Sequence, residues 1–378
     1  MTRTFTYDAL PQERVHFGKS VREVLGDEVE RLGAKRVFVA TSKTLHEQTG
    51  AISLIATSLK TKIAAIHHGI AEHSKLDGVL DAVRAAREAK ADLLVGVGGG
   101  SIIDGLKVVQ LALSENVETK DQLLALANKR HTKPTPIRQI AIPTTLSGAE
   151  VTPAGGATDE AQGRKLGFMN PFLVPRVVIY DPALGALTPE WLWLSSAIRG
   201  VDHCCEGFLA KNATHVYDAG LIHALNLFST SLRRTKDVPG DPFARIDSQM
   251  AAYLACTNSS RAGSGASHGI GYILGGRYGV HHGHSSCVML PHVLRWNEKT
   301  TVERQKTLAA SMNRTNLAEA VAELIKDLGL PARLRDVGIK EAQLPAIAEE
   351  AAKNPVVLSN PRPITSASDV MEILHAAW

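Results

Sequence analysis

Three histidines, an arginine and a tyrosine hold the positions in this chain where types and spacing could do chemistry. His203 stands in Arg199-Gly200-Val201-Asp202-His203-Cys204-Cys205-Glu206, and His268 and His282 lie fourteen residues apart around Gly275-Gly276. Neutral imidazoles ligate Fe²⁺ or Zn²⁺, and a protonated imidazole can neutralise or protonate a developing oxyanion. Arg199 either adds a charge-assisted fork for a carboxylate or is held in an ion pair with Asp202 or Glu206. Tyr272, four residues after His268, either donates a proton to an oxyanion or enolate or packs as a core aromatic. A second group suits a different task. Gly98-Gly99-Gly100-Ser101 follows an apolar run and opens a helix-like segment containing Asp104 and Lys107. Glycine removes the Cβ that would block a diphosphate, and a helix N-terminus adds free N–H groups and partial positive charge. The spacing fits neither G-x-G-x-x-G nor the P-loop, so taken alone these glycines read equally as a tight turn. Thr144, Thr145, Ser147 and Thr152 put four hydroxyls after another apolar run.

The elements that must position these residues alternate strand and helix through the first half. Apolar runs at 36–40, 62–67, 92–97, 137–142 and 177–180 predict strands, and 21–32, 76–89 and 102–113 predict helices. That order implies a Rossmann-like α/β fold, a parallel sheet with right-handed crossovers and ligands at the carboxyl ends of its strands. Beyond Pro182 strand signals nearly vanish, and Thr188-Pro189-Glu190 reads as a capped helix start with Pro at the first position. The expected organisation is an α/β dinucleotide-binding domain over 1–182 and an all-α catalytic domain over 183–378, with the cleft between them as the default site.

At 378 residues the chain exceeds a usual single core, and its 44% hydrophobic and 21% charged content are ordinary for a globular enzyme. A formal charge of +4 gives no footprint for nucleic acid. No apolar run approaches a membrane span, and the first seven residues lack the apolar core of a signal peptide. The four cysteines (Cys204, Cys205, Cys256 and Cys287) make no disulfide framework and read as buried small side chains in a reducing compartment. The expected location is cytoplasmic, with no membrane and no nucleic-acid partner.

Taken together the motifs resemble the iron-containing alcohol dehydrogenase superfamily over nearly the whole chain. The family's G-G-G-S-x-x-D-x-x-K matches Gly98 to Lys107, its P-T-T…E-V-T matches Pro143 to Thr152, and its H-x(13)-H segment with L-P-H matches His268 to His282 and Leu290-Pro291-His292. Within the superfamily the chain is most similar to the maleylacetate reductases, through Thr152-Pro153 with its following glycine pair, Val178 to Leu184, and Leu274-Gly275-Gly276. His281-His282-Gly283-His284 departs from their usual pattern.

This resemblance implies an NAD(P)H-dependent oxidoreductase and a homodimer. Gly98, Gly99, Gly100, Ser101, Asp104, Thr144, Thr145, Ser147 and Lys165 would bind cofactor, with Lys107 helping to hold that end of the site. Ser42 falls where the superfamily usually has an Asp facing the adenosine ribose, so it is either a turn residue or the mark of a site accepting NADP(H) as well as NAD(H). The resemblance also implies a divalent metal, iron or zinc, held by His203, His268 and His282, but the usual Asp ligand is replaced by Arg199. A guanidinium cannot ligate and repels a divalent cation. The small-molecule substrate expected is therefore an anionic oxo acid, reduced by hydride transfer with His203, His268, His282, Tyr272 and Arg199 as catalytic residues. The alternative is a metal-dependent alcohol dehydrogenase acting on an alcohol/aldehyde pair. A carbon–oxygen lyase of the dehydroquinate-synthase type is disfavoured by the missing metal carboxylate. A purely binding protein is disfavoured by the intact glycine and threonine motifs.

Overall fold

Short apolar runs between amphipathic helices build a six-stranded, wholly parallel sheet. A computed structural model describes residues 4–378. Its strands are β1 (Arg14–Phe17), β2 (Val37–Thr41), β3 (Ile63–His67), β4 (Leu93–Gly98), β5 (Arg138–Pro143) and, after a hairpin of β6 (Ala154–Asp159) and β7 (Arg164–Met169), β8 (Val177–Tyr180). The helices of this half are α1 (Val21–Arg31), α2 (Lys43–Gln48), α3 (Ala51–Leu59), α4 (Leu76–Glu88), α5 (Gly100–Ser114), α6 (Lys120–Leu126) and α7 (Pro182–Gly185). The spatial order is β1-β8-β5-β4-β2-β3, with every pairing in this sheet parallel.

The central strands β2, β4 and β8 are buried along their whole length, which is why they read as continuous apolar runs. Alternation still sorts their side chains. Phe38 and Ala40 join the core under α4 and α5, while Val37 and Val39 join the one under α1 and α3. The five expected strands and three expected helices lie within two residues of their observed bounds. Sequence patterning missed β1, the antiparallel β6–β7 hairpin, and the helices α2, α3, α6 and α7. Their runs are brief and their burial mixed, as in β7, where exposed and buried residues alternate.

Helices alone fill the second half: α8 (Glu190–Leu209), α9 (His215–Asp237), α10 (Pro242–Ala262), α11 (Ala266–Tyr278), α12 (His282–Ser311), α13 (Leu317–Asp327), α14 (Leu344–Ala351), α15 (Pro355–Leu358) and α16 (Ala367–Ala377). One of its cores joins α11 and α12 to α14 and α16 through Ile270, Leu274, Met289, Ile347 and Leu374. The chain divides into two compact units, Tyr7–Thr188 and Pro189–Trp378, and residues 4–6 group with the second. Thr188 does not cap α8 as its sequence suggests. Its hydroxyl donates to the Thr144 carbonyl at 2.6 Å, tying it to the sheet unit, and Pro189 serves as an N-cap without a side-chain bond.

Candidate active site

The order β3-β2-β4-β5 places a topological switch between β2 and β4, the point where ligands bind at the carboxyl ends of strands in open α/β sheets. Ser42 follows β2 there, and Gly98 to Gly100 follow β4. Gly98 takes φ +153°, a conformation other residues rarely adopt. Gly99 is the N-cap of α5 and supplies no side chain to its first turn, so the leading N–H groups of a 15-residue helix lack a side-chain cap.

The glycines also admit the second hydroxyl loop. A Cβ on Gly99 would lie 3.1 Å from Thr145 Cγ2, and one on Gly100 would lie 2.9 Å from Ser147 Oγ. Thr144 N donates to the Gly98 carbonyl at 3.0 Å, so loops from two neighbouring strands close into one cradle. An uncapped helix end inside such a cradle fits a diphosphate.

Several expected cofactor residues have structural duties. The Ser101 hydroxyl accepts the His73 N–H at 3.1 Å, securing the loop after β3. Lys107 is fully buried and donates to Thr152 Oγ1 at 3.0 Å, the Ala154 carbonyl at 2.8 Å, and the Ala149 carbonyl. It clamps the segment after β5 onto α5 rather than facing a ligand. Asp104 accepts from that lysine at 3.2 Å. Ser42 caps α2, accepting the Leu45 N–H at 3.2 Å. Lys165 lies on β7, paired with Thr158 across the hairpin.

In the helical unit α8 carries Arg199, Asp202, His203 and Glu206, spaced so that all four share a face. Glu206 is the pivot. Its carboxylate accepts the N–H groups of Gly265 at 2.7 Å, Ser267 at 2.7 Å and His268 at 3.3 Å, capping α11 where Gly265 has no side chain to do so. His268 Nδ1 donates to the same carboxylate at 2.7 Å and lies 3.4 Å from Asp202 Oδ1.

Asp202 Oδ2 in turn accepts from Ser267 at 2.8 Å and Ser286 at 2.7 Å. Arg199 donates to Ser286 Oγ at 3.2 Å, lies 3.8 Å from Asp202 Oδ2, and stands over the Tyr272 ring at 5.5 Å. The rings of His203 and His268 are 4.6 Å apart, and Tyr272 meets His268 edge-on at 6.4 Å. Arg199, His203, His268 and Tyr272 are thus brought together, whereas His282 opens α12 with its ring against Gly275.

Charge in this group is finely set. Burial opposes ionisation of Asp202, but His268 and Arg199 bring it down to about 2. Burial and Arg199 push His268 down, yet the Asp202 and Glu206 carboxylates raise it above the usual imidazole value. His203 is driven well below that value by burial, His268 and Arg199, which together outweigh the pull of Asp202. His268 Nε2 is buried with no hydrogen-bond partner. Tyr272 is 42% exposed, which removes its core-aromatic alternative. Arg199 pairs with Asp202, and Glu206 is committed to α11. Asp202, Glu206, Ser267 and Ser286 were not expected as site residues. The four-residue polar face on apolar α8 was the available signal for the first two.

Residues 11–182 match the family model of the iron-containing alcohol dehydrogenases, and residues 195–378 match the C-terminal model of the same family. The chain belongs to the iron-containing alcohol dehydrogenase family. It is 34% identical to dehydrogenase ALT3 of Alternaria alternata over 91% of this chain and 99% of that protein. It is 30% identical to lactaldehyde reductase of Escherichia coli K12, over 97% of this chain and 98% of that protein. The crystal structure of maleylacetate reductase from Agrobacterium tumefaciens superposes with a TM-score of 0.86 at 26% identity, covering 100% of this chain and 99% of that one. The chain is an oxidoreductase near the maleylacetate reductase branch, in a family that uses NAD(P) and iron.

Among the described residues, Asp202, Glu206 and His268 place ligand atoms within 4.8 Å of one another, a group of a composition that could hold a metal. It shares only His268 with the three histidines the sequence resemblance implied. The carboxylates of this group do not fit iron. Both Glu206 oxygens are used by α11, Asp202 Oδ2 by two serines, and Arg199 stands beside them. A divalent cation about 4 Å from that guanidinium is repelled by roughly 8 kcal/mol at an effective dielectric of ~20.

Proposed function

We propose that this enzyme reduces a small anionic oxo acid, such as maleylacetate, and does so without iron. The observation that carries this reading is Arg199, a largely buried guanidinium beside His268 and Tyr272 and held by Ser286. A bound reduced nicotinamide supplies the hydride. The cradle at Gly98, Gly99 and Gly100 with Thr144, Thr145 and Ser147 holds the dinucleotide by its diphosphate. Arg199 binds a substrate carboxylate and orients it. His268, whose cationic form is favoured by Asp202 and Glu206, has a second ring nitrogen without a hydrogen-bond partner from which to give a proton to the oxygen that gains charge. His203 and Tyr272 stabilise that oxygen as further donors. Ser42 in place of an acidic residue supports use of NADPH as well as NADH.

The test is a panel of oxo acids and neutral aldehydes followed by nicotinamide absorbance. Arg199→Ala should raise the KM of anionic substrates ten- to over a hundredfold, the effect of losing roughly 1.5–3 kcal/mol of charge-assisted bonding, and leave neutral aldehydes nearly unchanged. Equal losses on both would remove Arg199 from the substrate. The second reading, a metal-dependent alcohol dehydrogenase, draws on the unpartnered His268 Nε2 and the neighbouring carboxylates.

A further inference from the structure

All four cysteines are buried thiols, and burial raises those of Cys204, Cys205 and Cys287 well out of the reactive range. Cys256 is set apart by its neighbour. It projects from α10, is only 2% exposed, and its Sγ lies 3.0 Å from His203 Nδ1 on α8. That contact joins positions 53 residues apart and takes up one of the two ring nitrogens. The tautomer of a neutral imidazole is set by the hydrogen bond its other nitrogen makes. We propose that Cys256 is a positioning residue for His203: its sulfur fixes a single ring tautomer and leaves Nε2 as the atom presented to the substrate oxygen.

The partner need not be strong. His203 packs against the His268 ring at 4.6 Å, so its plane is already confined, and the sulfur has only to choose between two proton positions. With its S–H donated to Nδ1 the thiol leaves the ring proton on Nε2, and it brings no charge beside Arg199 and His268. The consequence for reactivity rests on the reading of His203 as a substrate-facing donor.

The experiment uses the full chain carrying isotope-labelled histidine. Two-bond proton–nitrogen correlation spectra are recorded above the imidazole titration range, with the His203 signals assigned by their loss in His203→Asn. The wild type should hold His203 in one tautomer, Cys256→Ala should give an exchanging mixture, and Cys256→Ser should restore a single form. In Cys256→Ala, kcat for the best oxo acid should fall roughly 10- to 100-fold, the range seen when a partner orienting a functional histidine is lost, with the KM for the nicotinamide unchanged. Should the alanine variant fail to fold, Cys256→Val carries the same test. A mixed tautomer in the wild type, or an unchanged single tautomer in a folded Cys256→Ala protein, overturns the proposal. A tautomer lost while kcat stays constant upholds the positioning role and removes His203 from the reaction.

Discussion

At the scale of single residues, the decisive fact is that the buried charges shared by α8 and α11 are paired with one another. Arg199 is balanced by Asp202 through Ser286, and His268 by Asp202 and Glu206. An arginine alone among these histidines would be a buried uncompensated charge, and Asp202 three residues along the same helix relieves it. The glycine turn has an equally specific test. Because Gly99 packs on Thr145 Cγ2, Gly99→Ala alone confounds blocked phosphate approach with a displaced loop. Thr145→Ser removes the methyl the new Cβ would meet. The double variant Gly99→Ala/Thr145→Ser should therefore fold with wild-type stability and still lose most of its affinity for NAD(P)H, read by fluorescence titration, with Thr145→Ser alone binding normally. Wild-type affinity in the double variant would show that the diphosphate does not lie against Gly99.

Among the elements, the segment joining β5 to the β6–β7 hairpin is held to α5 and β8 by fully buried polar groups. Lys107 clamps it from one side, and on the other Tyr180 Oη donates to Glu150 Oε1 at 2.6 Å while Glu150 Oε2 is buried without a partner. Burial raises the Glu150 carboxyl above its ordinary value, more than Tyr180 and Lys107 lower it. The folded state therefore holds this proton more tightly than the unfolded chain does. The Glu150 contribution to stability is full below the unfolded pKa and is lost as pH rises through the raised folded value, with a slope of at most about 1.4 kcal/mol per pH unit. Glu150→Gln cannot titrate. Its urea midpoint should gain on that of the wild type as pH rises from about 4 to about 7, and two parallel profiles would show that Glu150 ionises normally in the native protein.

For the whole molecule, the family's iron chemistry is the property most at issue. The family model covers both halves of the chain, yet the acidic groups nearest the histidines serve α11 and Arg199. Purified protein should carry iron and zinc well below one per chain, by elemental analysis, and its oxo-acid reduction should survive prolonged chelation. One tightly held metal per chain, with activity lost on its removal and restored on its return, would instead establish the alcohol dehydrogenase reading. Among the described residues no helix is long and apolar enough to cross a membrane.

Local pattern alone determined the central strands, the glycine turn after β4, the helical second half and the family, because burial on both faces and short motifs leave their mark on neighbouring residues. Edge strand β1 and the hairpin were not legible, since mixed burial gives them no clear period. Residues were legible as chemistry but not as partners. The sequence could name Arg199, His203, His268 and Tyr272, while leaving open whether Arg199 met Asp202 or Glu206, and it could not show that Lys107 bonds Thr152 and the Ala154 carbonyl. Only tertiary packing decided these. Glu206 meets the first turn of α11 across about sixty residues, Ser286 meets Asp202 across more than eighty, and Cys256 meets His203 across fifty-three. Contacts at such separations arise from the docking of whole helices, where one side chain's burial sets another's charge, and no local spacing encodes them.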